Sequence, residues 1–500
     1  MEPLPTGREA SSGGGAPPYV RHRPERTLLY QLVRDYYPAF KAHLAARGDA
    51  LPDYVEQEFE GYLRCGRLEH GFLRVRCGTC HAEHLVAFSC KRRGFCPSCG
   101  ARRMVESAAL LVDEVFPEQP VRQWVLSVPF PLRFLFASRP DVMGGVLGIV
   151  YRCIATHLCR KAGFSRQTAQ AGAVTLIQRF GSALNLNVHF HMLFLDGVYV
   201  ERPEGSLRFC WVRAPTSAEL AGLTQTLAGR IGRFLERQGL LERDAENSYL
   251  VDDELELGAI AQLQSSSITY RIAVGPQRGR KVFTLQTLPG SDEPFDDGVG
   301  KVAGFSLHAA VAARADQRQK LERLCRYISR PAISEARLSL TPNGNVRYEL
   351  KTPYRDGTTH VIFEPLDFIA HLAALVPKPR VNLTRFHGVF APNSRYRARV
   401  TPGKRGKGGS HTTMADPEER TPAERRAAMT WAQRLKRVFG IDIETCPACG
   451  GAMRIIACIE DPDVIEKILA HLDAKVAEPD ASRRPPCRAP PQRGLFDETG

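Results

Sequence analysis

Residues 184–200, LNLNVHFHMLFLDGVYV, set the frame for the rest of the chain. In an extended strand successive side chains point to opposite faces, so residues two apart share a face. His189 and His191 then stand side by side, and Asn185 and Asn187 continue their face. Val188, Phe190, Met192 and Phe194 occupy the opposite face, which is apolar and suited to a core. Two neutral imidazoles on one face can bind a divalent ion. Two packed structural histidines are the plainer alternative, and the polar residues beside them favour the ion. AVTLIQRF (173–180) predicts a second strand joined by a short connection, and QWVLSVPFPLRFLF (123–136) a strand running into a proline-punctuated turn. Helices are predicted over 27–47, 141–162, 217–241 and 308–329, the last stopped at Arg330-Pro331. RLSLTPNGNVRYELKTP (337–353) predicts a hairpin turning at Pro342-Asn343-Gly344.

The chain has 500 residues, room for two to four domains. A hydrophobic content of 43% excludes a disordered chain. Lys and Arg number 68 against 54 Asp and Glu, a net charge of +14 that suits a polyanionic partner such as nucleic acid. A basic but otherwise ordinary enzyme has the same balance. No uninterrupted apolar run of membrane-spanning length stands out. The opening MEPLPTGREASSGGGAPPYV lacks the apolar centre of a signal peptide, so a cytoplasmic location is expected. There, paired cysteine spacings favour metal over disulfides.

Cys77-x2-Cys80 is followed after a short interval by Cys96-x2-Cys99. That is ribbon spacing, and one structural zinc is expected on these four thiolates. Cys65 and Cys90 flank the first pair, with His70, His81 and His84 nearby, and are candidates for a second site. Cys446 and Cys449, in CPACGG, form half a ribbon and are a further candidate zinc pair. Cys153, Cys159, Cys210 and Cys325 have no paired spacing and read as core residues. Lys91, Arg92 and Arg93 at the ribbon tip are candidate DNA contacts, because cations there would meet phosphates.

A nucleophile candidate stands in ERLCRYISRP, at Tyr327. A phenol of ordinary pKa, about 10, is ionised in about one part per thousand at pH 7. A tyrosine nucleophile therefore needs a metal or cation beside it. Arg326 and Arg330 bracket Tyr327 and are also candidate DNA contacts. Taken alone, the residue reads first as a packed tyrosine at a helix end.

Seven segments together resemble the rolling-circle transposases of the insertion-sequence-ninety-one family and their common-region relatives. They are FSCKRRGFCPSCGARRM, VLSVPFPLRFLF, GSALNLNVHFHMLFLDGVY, RLCRYISRPAIS, LKTPYRDGTTHVIFEPLDFIAHLAALVPKPR, RFHGVFAPNS and CPACGGAMRIIA, in the family's order. The resemblance runs from about residue 27 to about residue 475. It implies an α+β chain, with an antiparallel sheet flanked by helices in the His-hydrophobe-His nuclease fold. An N-terminal zinc ribbon-like domain and a small C-terminal cysteine-containing module would accompany it. His189 and His191 match the ligands of a catalytic Mg²⁺ or Mn²⁺, and Tyr327 matches the nucleophile that takes up a 5′-phosphate. The implied partner is DNA, as single-stranded element ends, with self-association a further possibility.

On this basis the expected division is a disordered segment 1–25, a zinc-binding and DNA-binding domain 26–112 and a catalytic domain 113–395. A basic flexible linker 396–421, a small module 422–476 and a disordered tail 477–500 follow. Some members carry a second tyrosine one turn after the first; here that place holds Pro331, so the chain looks like the single-tyrosine branch. Asp196, His308 and Gln319 are open alternatives for a third metal ligand. Two other functions remain open: a replication initiator or relaxase with the same chemistry, and a zinc-dependent DNA-binding protein without catalysis.

Overall fold

The computed structural model describes residues 23–243, 248–250, 258–288, 300–403 and 444–476. Of the expected segments, residues 1–22, 404–443 and 477–500 lie outside the described residues. The chain begins with α1 (Leu28–Ala45), whose first turn is capped by the Thr27 hydroxyl accepting from Tyr30 N at 3.2 Å. Helix α2 (Asp53–Arg64), the hairpin β1 (Phe72–Cys77) and β2 (Glu83–Ala87), and α3 (Pro97–Ala109) follow. Next come β3 (Val121–Ser127), α4 (Phe130–Ser138), α5 (Pro140–Lys161), β4 (Ala169–Gln170), β5 (Gly172–Phe180), β6 (Leu186–Leu195), β7 (Gly197–Glu201) and β8 (Leu207–Trp211). They lead to α6 (Ser217–Arg237), β9 (Leu241–Arg243), β10 (Ser248–Leu250), α7 (Ala259–Ile268), β11 (Phe283–Gln286), β12 (Gly300–Val302), β13 (Phe305–His308) and β14 (Ala312–Ala313). Then follow α8 (Arg318–Ile328), β15 (Leu338–Leu340), β16 (Val346–Glu349), β17 (Thr358–Phe363), α9 (Pro365–Leu375), β18 (Thr384–Gly388) and α10 (Arg397–Val400). The last elements are β19 (Met453–Ile459) and α11 (Pro462–Val476).

These elements form two units. In the larger, the main sheet has the order β12-β13-β3-β6-β5-β18, with β14 also on β3, and its pairings are antiparallel. Strand β6 lies in its interior, and the alternation read from the sequence sorts its faces. Val188, Phe190, Met192 and Phe194 pack with Trp124 and Leu126 under α4, α5 and α6. On the other face Leu193 and Leu195 join Val174 and Leu176 beneath Leu321, Cys325 and Ile328 of α8. A further core joins α1, α2, α7 and α9 to a sheet of order β11-β17-β16-β15. Its hairpin β15–β16 turns at Gly344, whose φ of 79° favours glycine.

The smaller unit holds residues 66–88 and the described residues 444–476. Its sheet has the order β19-β1-β2. The unit boundaries therefore differ from the contiguous domains 26–112, 113–395 and 422–476. Residues 26–65 and 89–112 belong with the large sheet, because α1 and α2 bury Phe40 and Phe59 in its unit's core. The C-terminal segment pairs in register with β1, so two distant segments build one sheet.

One sequence expectation needs correction. The helix expected from 308 begins at Arg318, because Phe305–His308 and Ala312–Ala313 pair with β3 instead. Ala-rich sequence favours a helix, and sheet pairing overrides it here. Helix α5 is long and apolar enough to span a membrane, although most of its apolar window is buried against the sheet and α6.

Asp196, just after β6, is buried in a two-pronged ion pair with Arg122. Nε to Oδ1 and Nη2 to Oδ2 are both 2.9 Å, and Arg122 Nη1 also donates to the Ala309 carbonyl at 2.8 Å. Removing one partner leaves the other charge buried and unpaired. Asp196→Ala is expected to lower the unfolding free energy by about 3–5 kcal/mol in a denaturant titration. A loss within the range of exposed pairs, about 1 kcal/mol or less, would contradict this.

Candidate functional site

Strand β6 places His189 and His191 on the face that α8 covers. Their Nε2 atoms are 3.1 Å apart. His189 Nδ1 meets the Asn187 carbonyl at 2.9 Å, and His191 Nδ1 meets Gln123 Nε2 at 2.6 Å. Both outer nitrogens are thus held, and both inner nitrogens converge. Burial pushes His189 down to about 4, with a smaller contribution from Arg330. His191 is driven well below the usual imidazole range, first by burial, then by His189 and Arg330. Both rings are therefore neutral at pH 7, the form that binds metal. The convergent neutral nitrogens fit a divalent ion, since one ion can touch both.

Register supplies the neighbours that sequence reasoning missed. His189 lies opposite Ser127 on β3 and Gln178 on β5, so the three share a face. Gln178 is buried, and its Nε2 donates to the Ile328 carbonyl at 3.1 Å. That bond ties the last turn of α8 to the residue beside His189. Tyr327, half-buried, immediately precedes Ile328. Arg330 Nη1 donates to the Tyr327 carbonyl at 2.9 Å, and its guanidinium stands 4.3 Å from the Tyr327 ring centroid. Lys351 Nζ, from the end of the β15–β16 hairpin, stands 4.4 Å from the same ring. Two cations therefore flank the Tyr327 ring, and the backbone next to it is tied to the residue beside His189.

The open alternatives for a third ligand separate. Asp196 is committed to Arg122. His308 lies on β13 rather than on the tyrosine helix, opposite Val125, which itself lies opposite His191. Gln319 is exposed on the first turn of α8. Gln123, 5% exposed and touching His191, is the polar group built into this face. Its signal in the sequence was one amide at the start of the run QWVLS.

The cysteines group differently from the expected ribbon. Cys77, Cys80, Cys96 and Cys99 do not meet. Cys96 and Cys99 open α3 and join Cys65, at the end of α2, and Cys90. Within this set Cys90–Cys99 is 3.4 Å, while Cys65–Cys99 and Cys65–Cys96 are both 3.7 Å. Four thiolates at about 2.3 Å from one zinc lie about 3.8 Å apart, so the set fits. Donation from Cys65, Cys90 and Cys96 holds the Cys99 sulfur far below the usual thiol range. Cys77 and Cys80 lie with Cys446 and Cys449 instead. His70 and His81 are exposed, and no histidine enters either cluster among the described residues. Of the expected DNA contacts at the tip, Lys91 is exposed, and Arg92 reaches Gln57 at 3.5 Å. Arg93 donates to the Val381 and Lys378 carbonyls. Arg326 is half-buried on α8 beside Tyr327.

The family model described as "Putative transposase" matches residues 172–397, which hold the histidine pair, Tyr327 and Lys351. The model described as "Transposase zinc-binding domain", of the IS91 family, matches residues 32–128. The chain is an IS91-type transposase. No curated protein and no solved structure matches it. Within this transposase the zinc-binding match contains all six N-terminal cysteines, Cys65 to Cys99, in keeping with structural zinc in that domain. Cys446 and Cys449 lie outside both matched ranges. Replacing Cys96 and Cys99 together with serine is expected to remove about one zinc per chain and to lower the melting temperature, because ligand binding and folding are coupled. Unchanged zinc content by elemental analysis would contradict this grouping.

Proposed function

We propose that this transposase cuts single-stranded DNA at the ends of its element with Tyr327 as nucleophile. The reading rests on one observation above the rest. Gln178, opposite His189, binds the Ile328 carbonyl next to Tyr327, which brings the end of the tyrosine helix to the strand beside the histidine pair and supports one shared site.

The Tyr327 oxygen would attack the phosphorus of a phosphodiester. A new O–P bond forms to the phenol, the P–O3′ bond breaks, and the phenolic proton leaves while the 3′-oxygen ends as a hydroxyl. A 5′-phosphotyrosine results. A later attack by a 3′-hydroxyl reverses the step on another strand. One phosphoester replaces another throughout, so strand transfer needs no ATP. Arg330 and Lys351 set positive charge beside the phenol and the incoming phosphate. His189 and His191 would hold the Mg²⁺ or Mn²⁺ ion. When bound, that ion would polarise a non-bridging phosphoryl oxygen and offset charge in the transition state.

To present Nε2, each histidine must carry its proton on Nδ1. The Asn187 carbonyl accepts that proton for His189, and the Gln123 amide, turned to offer its oxygen, accepts it for His191. Gln123 is thus a positioning residue. With Pro331 in place of a second tyrosine, two cleavages require either successive use of Tyr327 or a second copy of the chain. Outside this face, Arg152, Arg230, Arg233 and Arg237, together with Ile149 and Glu236, line a cavity of about 520 Å³ between α5 and α6 on the far side of the sheet. That surface would suit a DNA backbone. A replication initiator would share the chemistry, and the family favours the transposase.

End-labelled single-stranded DNA from the element terminus, incubated with protein and Mg²⁺ or Mn²⁺, is expected to give a covalent adduct on a denaturing gel. Tyr327→Phe and the double variant His189→Ala/His191→Ala are expected to abolish it. An adduct that persists in Tyr327→Phe would place the nucleophile elsewhere. Gln123→Leu is expected to raise the ion concentration for half-maximal adduct formation by about ten- to a hundredfold while the adduct still forms at saturating ion. An unchanged ion requirement would remove Gln123 from this role.

A further inference from the structure

The second cysteine cluster does not depend on the tyrosine chemistry, and it involves residues that neither family match contains. Cys77 and Cys80 form the turn between β1 and β2. Cys446 and Cys449 form a second turn before β19. The two turns face each other, although Cys80 and Cys446 are 366 residues apart in the chain. Cys77 and Cys449 sulfurs are 3.5 Å apart, as are those of Cys80 and Cys446, and all four sulfurs lie within 4.8 Å of one another.

The backbone around them is shaped for this approach. Thr79 N points at Cys77 Sγ at 3.4 Å. Gly78 N donates to the Ala452 carbonyl at 2.9 Å, joining the two turns directly. In the second turn Cys446 N donates to the Gly451 carbonyl at 2.8 Å, and Gly450 N to the Cys446 carbonyl at 2.9 Å. Gly450 has φ 74°, which favours glycine. A Cβ at Gly451 would lie 2.5 Å from Thr79 Oγ1 and 3.0 Å from Cys77 Sγ. The glycine pair in CPACGG thus has two reasons, a left-handed turn and a close approach by the opposite knuckle. Beyond the turns, β1 and β19 pair from Cys77–Met453 to Phe72–Ile459.

We propose that Cys77, Cys80, Cys446 and Cys449 hold one Zn²⁺ as a tetrathiolate, closing a zinc ribbon assembled from two distant segments of the chain. The pairing of β1 with β19 and the ion support each other: the strands bring the knuckles together, and the ion locks the strands. Four sulfurs this close repel as thiolates unless a cation lies among them. Soft sulfur ligands in a closed set of four select zinc over magnesium or manganese. Each chain then carries two structural zinc ions, one per cluster.

The test is elemental analysis of the full chain in the His189→Ala/His191→Ala background, so that only thiolate-bound zinc is counted. Two zinc ions per chain are expected. Cys446→Ser/Cys449→Ser is expected to leave one, as is Gly451→Val, which keeps every thiol and blocks the approach. Two zinc ions retained in both variants, or a single ion before any cysteine is changed, would overturn the proposal. A measurement without cysteine or glycine changes guards against a variant that fails to fold. Chelation of the exposed cluster should speed amide exchange in residues 72–77 and 453–459 together. Exchange in 453–459 that ignores chelation would equally overturn it.

Discussion

Strand β6 has a hydrogen-bonded neighbour along each edge, and that constraint shapes the catalytic body. Its register against β3 fixes Ser127 opposite His189, and its register against β5 fixes Gln178 there. A slip of one residue would turn Phe190 toward α8 and the histidines into the core beneath α4 and α5. The apolar set Val188, Phe190, Met192 and Phe194 makes that slip costly, since all four are almost fully buried. Packing on one face of the strand therefore holds the histidine pair in place on the other.

The same strand shows what the sequence could and could not disclose. Period-two alternation needs only local residues, so the pairing of His189 with His191 was legible without a structure. Tyr327 was singled out through its motif. Gln178 and Gln123 were not, because they reach the site through strand pairing, and no local pattern encodes register across a gap. The helix carrying Tyr327 was placed at the right end but begun too early. Residues 309–313, four alanines around Val311, favour a helix in isolation, yet their backbone completes the edge of β3. Asp196, His308 and Gln319 were plausible by proximity in sequence, and pairing, salt-bridging and exposure gave each a different place.

The cysteines illustrate the limit more sharply. Two Cys-x2-Cys turns separated by a ribbon-length gap read naturally as one zinc site. Spacing reports that a knuckle exists and says nothing of which knuckle it faces. Here the second turn opens α3 and finds Cys65 and Cys90, while the first finds its counterpart at Cys446 and Cys449. Each half had been identified as a ligand pair. The partnership was missed because strand pairing between β1 and β19 spans most of the chain. A tetrathiolate at that junction would make the integrity of the N-terminal hairpin depend on the C-terminal segment.

The central claim is that one surface, built from β6 and the end of α8, joins a phenol nucleophile to a histidine pair. Peptide mapping of the reacted protein by mass spectrometry tests it most directly. After nuclease trimming and trypsin digestion, the account predicts a phosphodeoxynucleotide attached to Tyr327, in the peptide beginning at that residue, only when a divalent ion is present. A nucleotide on any other residue, or one on Tyr327 that forms equally well in His189→Ala/His191→Ala, would contradict it.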